Sequence, residues 1–194
     1  MKEKTEIEHS GELATDQGVD INGVVWATRN VNMPGTFTEA SEDAGMVYQW
    51  NRKTGWSSVD PLESSDGSTE WDATYANGKS WAAKNDPSPE GWRVPTKDDF
   101  RKLCDTGHVD RKWQNSPSGY VFTDRKSGNS IFLPACGERY PKLSGVGSHG
   151  YYWSADPHGP KYNGYHLYFN EEDFSSESYL RRCDGLSVRP VKKV

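Results

Sequence analysis

The chain has 194 residues, a net charge of −5 and 33% hydrophobic residues, with eight Trp, ten Tyr and six Phe among its aromatics. That length suits one domain with its own core, and a mildly acidic chain without a basic stripe has no counterion-release drive toward nucleic acid. Nineteen Gly and eleven Pro, with no long amphipathic run, exclude a helical bundle, and no apolar stretch reaches the roughly 20 residues that span a bilayer.

Residues 1–18 are charged and polar, and read as a disordered leader or tether ahead of a domain over 19–194. Met1 to Glu6 lacks the apolar segment of a signal peptide, which leaves open whether a leader has been removed. Asn22-Gly23 between short apolar flanks predicts a hairpin with a type I′ turn. Met46 to Trp50 alternates bulky residues and predicts a strand. Residues 51–70, rich in Ser, Asp, Gly and Thr, predict a long surface loop pinned by Trp56 and Leu62. Thr96 suits an N-cap, with Asp99 three positions on in a variant of the capping box. A short helix follows, with Phe100 and Leu103 on one side. Tyr120 to Thr123 and Ser130 to Pro134 flank a turn and predict a second hairpin. Tyr151 to Ala155 and His166 to Phe169 predict strands, and Leu186 to Val191 a last one in which Pro190 marks an edge or an end.

Cys104, Cys136 and Cys183 are widely spaced without a CxxC, which argues against zinc and thioredoxin-like chemistry. One disulfide with a free thiol and three reduced thiols both fit; buried unpaired thiols are preferred. His9, His108, His149, His158 and His166 show no metal spacing, and Glu171-Glu172-Asp173 reads as a solvated turn rather than a calcium loop. No catalytic residue, metal or cofactor is assigned. Trp26, Trp50, Trp92 and Trp153 are expected in an aromatic core, and Trp56 is left as the tryptophan available to stack on a sugar. Arg93 and Arg189 are expected to make structural contacts.

Six blocks carry a family resemblance: Asn22-Gly23-Val24-Val25-Trp26-Ala27, Tyr48-Gln49-Trp50, Gly91-Trp92-Arg93-Val94-Pro95-Thr96, Phe132-Leu133-Pro134-Ala135, Gly150-Tyr151-Tyr152-Trp153-Ser154, and Gly185-Leu186-Ser187-Val188-Arg189-Pro190-Val191. In this order they resemble the Fibrobacter succinogenes major paralogous domain family. The resemblance implies an α+β, C-type-lectin-like fold, with small twisted antiparallel sheets, one or two short helices and long irregular loops. It also implies a bacterial surface or secreted setting. Trp92 to Thr96 and Ser187 to Arg189 are similar to formylglycine-generating enzymes as well. Those enzymes use a pair of reactive cysteines near the carboxyl end, where Cys183 here stands alone, so their oxidase chemistry is not carried over.

Residues 149–182 are crowded with Tyr, Ser, Asn, Asp, His and Gly, the palette of an antibody paratope. Retroelement-diversified C-type-lectin-like proteins carry variable residues of this kind just before a fixed last strand. The expected contact face is Tyr151, Asp156, His158, Tyr162, Asn163, Tyr165, Ser176 and Tyr179. The plainer alternative is an ordinary strand and loop with Tyr152 and Tyr168 packed inward. The expected function is a non-catalytic binding or adhesion module. It would act as a monomer on a protein or glycan ligand, outside the cell, on its surface or on a phage tail, without nucleic acid or membrane insertion. The alternatives are a structural domain of a larger surface protein and a relative of the formylglycine-generating oxidases.

Overall fold

The computed structural model describes residues 15–194. Residues 1–14 of the expected leader lie outside the described residues. Its last four residues rest on the domain through Asp16, whose carboxylate accepts the Thr28 backbone N–H and hydroxyl at 2.9 Å each.

Both turn residues of the first hairpin adopt left-handed backbone, Asn22 at φ 50° and Gly23 at φ 75°. A type I′ turn requires this, and its twist matches the flanking strands. β1 (Val19–Ile21) and β2 (Val24–Trp26) therefore pair in register across it. Next come β3 (Val47–Gln49), β4 (Gly55–Trp56) and β5 (Trp92–Arg93), with one 3-10 turn at Ala83–Asn85. β6 (Val109–Asn115), β7 (Ser118–Asp124) and β8 (Ser130–Pro134) form an antiparallel meander. A small hairpin, β9 (Glu138–Tyr140) with β10 (Lys142–Ser144), precedes the longest strands. These are β11 (Gly150–His158), β12 (Asn163–Phe169) and β13 (Phe174–Arg181), an antiparallel three-stranded sheet. β14 (Gly185–Leu186) and β15 (Val191–Lys192) end the chain.

The final segment stitches the sheets together. β15 inserts between β2 and β5, and β14 between β9 and β3. Between them Ser187 bridges in parallel to Tyr152 of β11. Pro190 sits just before β15, where its missing N–H breaks no ladder bond, and its carbonyl accepts the Ala27 N–H at 2.9 Å. The architecture is α+β: small antiparallel sheets with one short α-helix among the described residues.

That helix, α1 (Lys97–Leu103), begins with both bonds of the capping box. The Asp99 carboxylate accepts the Thr96 N–H at 2.7 Å and the Arg93 guanidinium at 2.7 Å. Burial pushes this carboxyl up, but the Arg93 and Thr96 donors outweigh it and hold it below the usual range. A depressed carboxyl stabilises the fold above its unfolded value near pH 4, and that contribution is lost as pH falls. Asp99→Ala is expected to cost about 2 kcal/mol at pH 7. In urea titrations the difference from wild type should shrink toward pH 3; a pH-independent difference would assign the loss to packing.

Strand alternation divides the core in two. Trp26, Phe100, Leu103, Phe122, Tyr152, Leu167 and Phe169 fill one cluster, with Phe100 and Leu103 supplied by α1. Tyr48, Trp50, Trp81, Trp153, Leu186 and Val188 fill the other. The β11–β13 sheet therefore packs on both faces, through Tyr152 on one and Trp153 on the other. Trp26, Trp50, Trp92 and Trp153 are all buried, as expected. Trp56 is also buried, paired with Trp71 at 4.9 Å, so it is not the free stacking surface that its loop position suggested. The loop over 51–70 folds back far enough to place Gly55–Trp56 as a strand beside β3.

Three arginines, Arg139, Arg182 and Arg189, are at most 1% exposed. Arg189 donates to the Ala27 and Ser41 carbonyls and to Asn30 Oδ1. Arg182 donates to the carbonyls of Ala76, Gly78 and Asn163. Arg139 donates to the carbonyls of Ser57, Val59 and Pro141 and to Asp60 at 3.0 Å. Irregular backbone carries carbonyls that no ladder satisfies, and a guanidinium offers five donors to meet them. Each arginine thus clamps a loop to the sheets. Arg93 and Arg189 are structural, as the sequence indicated.

Candidate ligand-binding face

Residues 149–182, expected to carry the contact face, contain the whole β11–β13 sheet. Cross-strand partners share a face, so the register sorts the side chains. Tyr165 pairs with Tyr179, and His158 with Asn163. Tyr165 stands on the same side as Leu167 and Phe169, the side covered by α1.

Near the start of α1 this side carries an aromatic group of its own. His158 and Tyr179 stack with centroids 3.9 Å apart and planes 1° from parallel. Tyr165 meets the His158 ring edge-on at 4.9 Å. Lys97, the first residue of α1, holds its ammonium 4.3 Å from the Tyr165 ring centroid. Tyr179 is 54% exposed, while His158 Nδ1 is buried with no partner among the described residues. Nearby, Arg101 of α1 bridges to Glu177 of β13 at 2.7 Å, tying the helix to the sheet edge.

The other expected contact residues separate. Tyr162, 60% exposed at the β11–β12 turn, packs edge-on against Tyr75 at 5.2 Å. Asp156 is structural: its carboxylate accepts the Lys97 N–H at 2.6 Å and the Ser154 hydroxyl at 3.1 Å. It satisfies one of the donors that a helix leaves free at its start. Asn163 contributes its carbonyl to Arg182, and Ser176 lies against the Cys104 thiol. Tyr151 is on the reverse face, beside His149, His166 and Tyr168. The alternative that packed both Tyr152 and Tyr168 inward holds for Tyr152, which is fully buried, and not for Tyr168, which is half-buried on that reverse face.

Lys97, Tyr75, His149 and Tyr168 join these surfaces without a signal in the sequence that marks them. The sheet also carries two register shifts, one between Trp153 and Pro157 of β11 and one opposite His166–Tyr168 in β13. The one extra residue in β13 reverses which of its side chains face which side, while the two extra residues in β11 keep its alternation, and nothing in a polar run such as Ser175-Ser176-Glu177-Ser178 marks the insertion.

Chemically the sheet is quiet. Burial drives the His166 imidazole down to about 3, leaving it neutral, and pushes the Tyr151 hydroxyl up to about 12. All three cysteines are unpaired. Burial pushes each thiol up, Cys104 to about 12, which opposes thiolate formation. Among the described residues no grouping of His, Cys, Asp and Glu could hold a metal ion, and no helix is long and apolar enough to cross a membrane.

Neither the curated proteins nor the solved structures include a match to this chain. A family model, the Fibrobacter succinogenes major domain, matches residues 19–192. That span takes in every strand and the helix, from β1 to β15, and the chain belongs to this family.

Proposed function

We propose that the chain is a non-catalytic binding module with a C-type-lectin-like fold, displayed on a bacterial surface or at a phage or appendage tip. Its contact face is on the β11–β13 sheet, built from His158, Tyr165, Tyr179 and Lys97. The supporting observation is the coplanar His158–Tyr179 stack at 3.9 Å, with Tyr179 more than half exposed. Core packing does not need an aromatic pair outside the core. A pre-ordered, amphipathic pair on strands loses little entropy when a partner covers it. An exposed tyrosine stacked on a histidine suits a protein partner. Raised thiols and a neutral buried histidine offer no nucleophile or base, which favours binding over oxidase chemistry.

The reading extends to sequence diversification of the exposed positions. A reverse transcriptase gene beside a near-copy of the 3′ coding segment would support that extension, and a gene neighbourhood without them would remove it.

The test is a His158→Ala/Tyr179→Ala double variant screened beside wild type on arrays of cell-surface proteins and glycans. Wild type is expected to bind at least one protein that the variant does not. The variant should lose about 1 kcal/mol of stability, the worth of one exposed stacked pair. A loss as large as that of a core tryptophan would assign the pair to folding instead.

A further inference from the structure

The reverse face of the β11–β13 sheet carries a second surface of different chemistry. Tyr151 and Tyr168 lie 5.3 Å apart with their planes 50° from parallel, so they form two facets rather than one plane, and His149 lies 6.2 Å from Tyr151 with its ring tilted 14° from it. All three are half-buried. Together they make a continuous aromatic step. At one end Asn170 donates to the Tyr168 hydroxyl at 2.9 Å. Asn170 and His149 also line a depression of about 250 Å³, walled by Trp113, Asn115, Ser148 and Glu171. Near the other end is Glu138, half-buried and close enough to Tyr151 to affect its titration.

Ser148 Oγ meets His149 Nδ1 at 2.8 Å, Trp113 Nε1–H donates to Asn115 Oδ1 at 2.6 Å, and Asn170 Oδ1 accepts the Glu172 and Asp173 N–H groups, so the groups left for a ligand are chiefly the two carboxylates. Among the described residues, no donor is hydrogen-bonded to the side chains of Glu138 and Glu171. Behind Tyr151, His166 is 2% exposed and its Nδ1 has no partner among the described residues. The backbone that holds His149 is pinned by bonds from the Gly137 N–H to the His149 carbonyl at 2.7 Å and from the Gly147 N–H to the Ala135 carbonyl at 2.8 Å. The step is therefore held in place before any ligand arrives.

We propose that this step and depression form a carbohydrate site, with one pyranose ring in the depression and a neighbouring ring over Tyr151 and Tyr168. A pyranose has a flat C–H face and a rim of hydroxyls. Aromatic rings receive the first, while carboxylates, amides and imidazoles accept from or donate to the second. The volume is below the roughly 300–1,000 Å³ of pockets for drug-sized ligands, and suits a single sugar ring.

Other occupants fit less well. Two carboxylates repel an anion. The rings touch one another, so they leave no gap in which to cage an ammonium group. An apolar protein surface would bury Glu138 without a donor, at a cost of about 1–3 kcal/mol or more. Sugar hydroxyls supply the donors. The site shares no side chain with the His158–Tyr179 patch and stands independently of it.

The experiment is calorimetric titration of the whole chain with neutral oligomers of glucose, galactose, mannose and N-acetylglucosamine, followed in parallel by indole fluorescence. At least one series is expected to bind. Trp113→Ala, Tyr168→Ala and Glu138→Gln should each weaken it tenfold or more. Glu138→Gln should do so without lowering the thermal midpoint, because it removes a half-buried carboxylate that has no hydrogen-bond donor among the described residues. The His158→Ala/Tyr179→Ala variant should bind the sugar as wild type does. The proposal is overturned if no series binds at millimolar concentration, if the three variants bind like wild type, or if only the double variant loses binding.

Discussion

Arg189→Met is expected to lower the unfolding free energy by roughly 3–5 kcal/mol, a large share of the about 5–15 kcal/mol that holds a typical domain together. The methionine fills much of the arginine's volume, so the loss is electrostatic rather than a cavity. Arg189 is fully buried, and burial pulls its guanidinium down from its usual range. Its donors meet Asn30 Oδ1 at 2.8 Å and the carbonyls of Ala27 and Ser41 at 3.2 and 3.3 Å. Those acceptors belong to the segment after β2, whose irregular backbone has few ladder partners. Without the guanidinium the Asn30 and Ala27 acceptors stay buried and unpaired, while Ser41 is only half-buried. Urea unfolding should show a lower midpoint with an unchanged slope. A loss below about 1 kcal/mol would mean that water reaches the acceptors and that the clamp is dispensable.

Trp153→Ala should cost as much, about 3–5 kcal/mol from the lost indole and the cavity it leaves. Trp153 is fully buried, and its Nε1–H donates to the Tyr48 carbonyl at 2.6 Å. Across the same cluster Trp50 donates to the Ser154 carbonyl at 3.0 Å. Two tryptophans thus link β3 and the residue after it to β11 by reciprocal indole bonds. Trp153→Phe separates the contributions, because it keeps most of the packing and removes the donor. It should cost about 1–3 kcal/mol. Equal losses for Ala and Phe would assign most of the effect to the hydrogen bond rather than to packing.

The local signals in the chain are legible where a few adjacent residues decide the backbone. Asn22-Gly23 can adopt two consecutive left-handed conformations, so the hairpin follows from the dipeptide. Thr96 and Asp99 satisfy helix-start donors within four residues, so α1 starts where their spacing says it should. The tryptophans of the motif blocks are too large and apolar to lie anywhere but in a core.

β6 and β13 are hard to see in the sequence because they are edge strands, paired on one side only, and read Val109-Asp110-Arg111-Lys112 and Ser175-Ser176-Glu177-Ser178. An edge strand has no need of apolar alternation, and charge along it discourages pairing with other chains. The contact residues divided for a related reason. Tyr151 and Tyr165 look alike in a Tyr-rich stretch, yet one belongs to each side of the sheet. The register sets Tyr151 opposite Tyr168, and Tyr165 lies three residues from Tyr168 along β12, on the other face. Composition could mark the stretch as rich in binding groups. Which of those groups meet, which cap a helix as Asp156 does, and which face each other across the sheet depended on pairings between segments far apart in the chain, where no neighbouring residue carries the information.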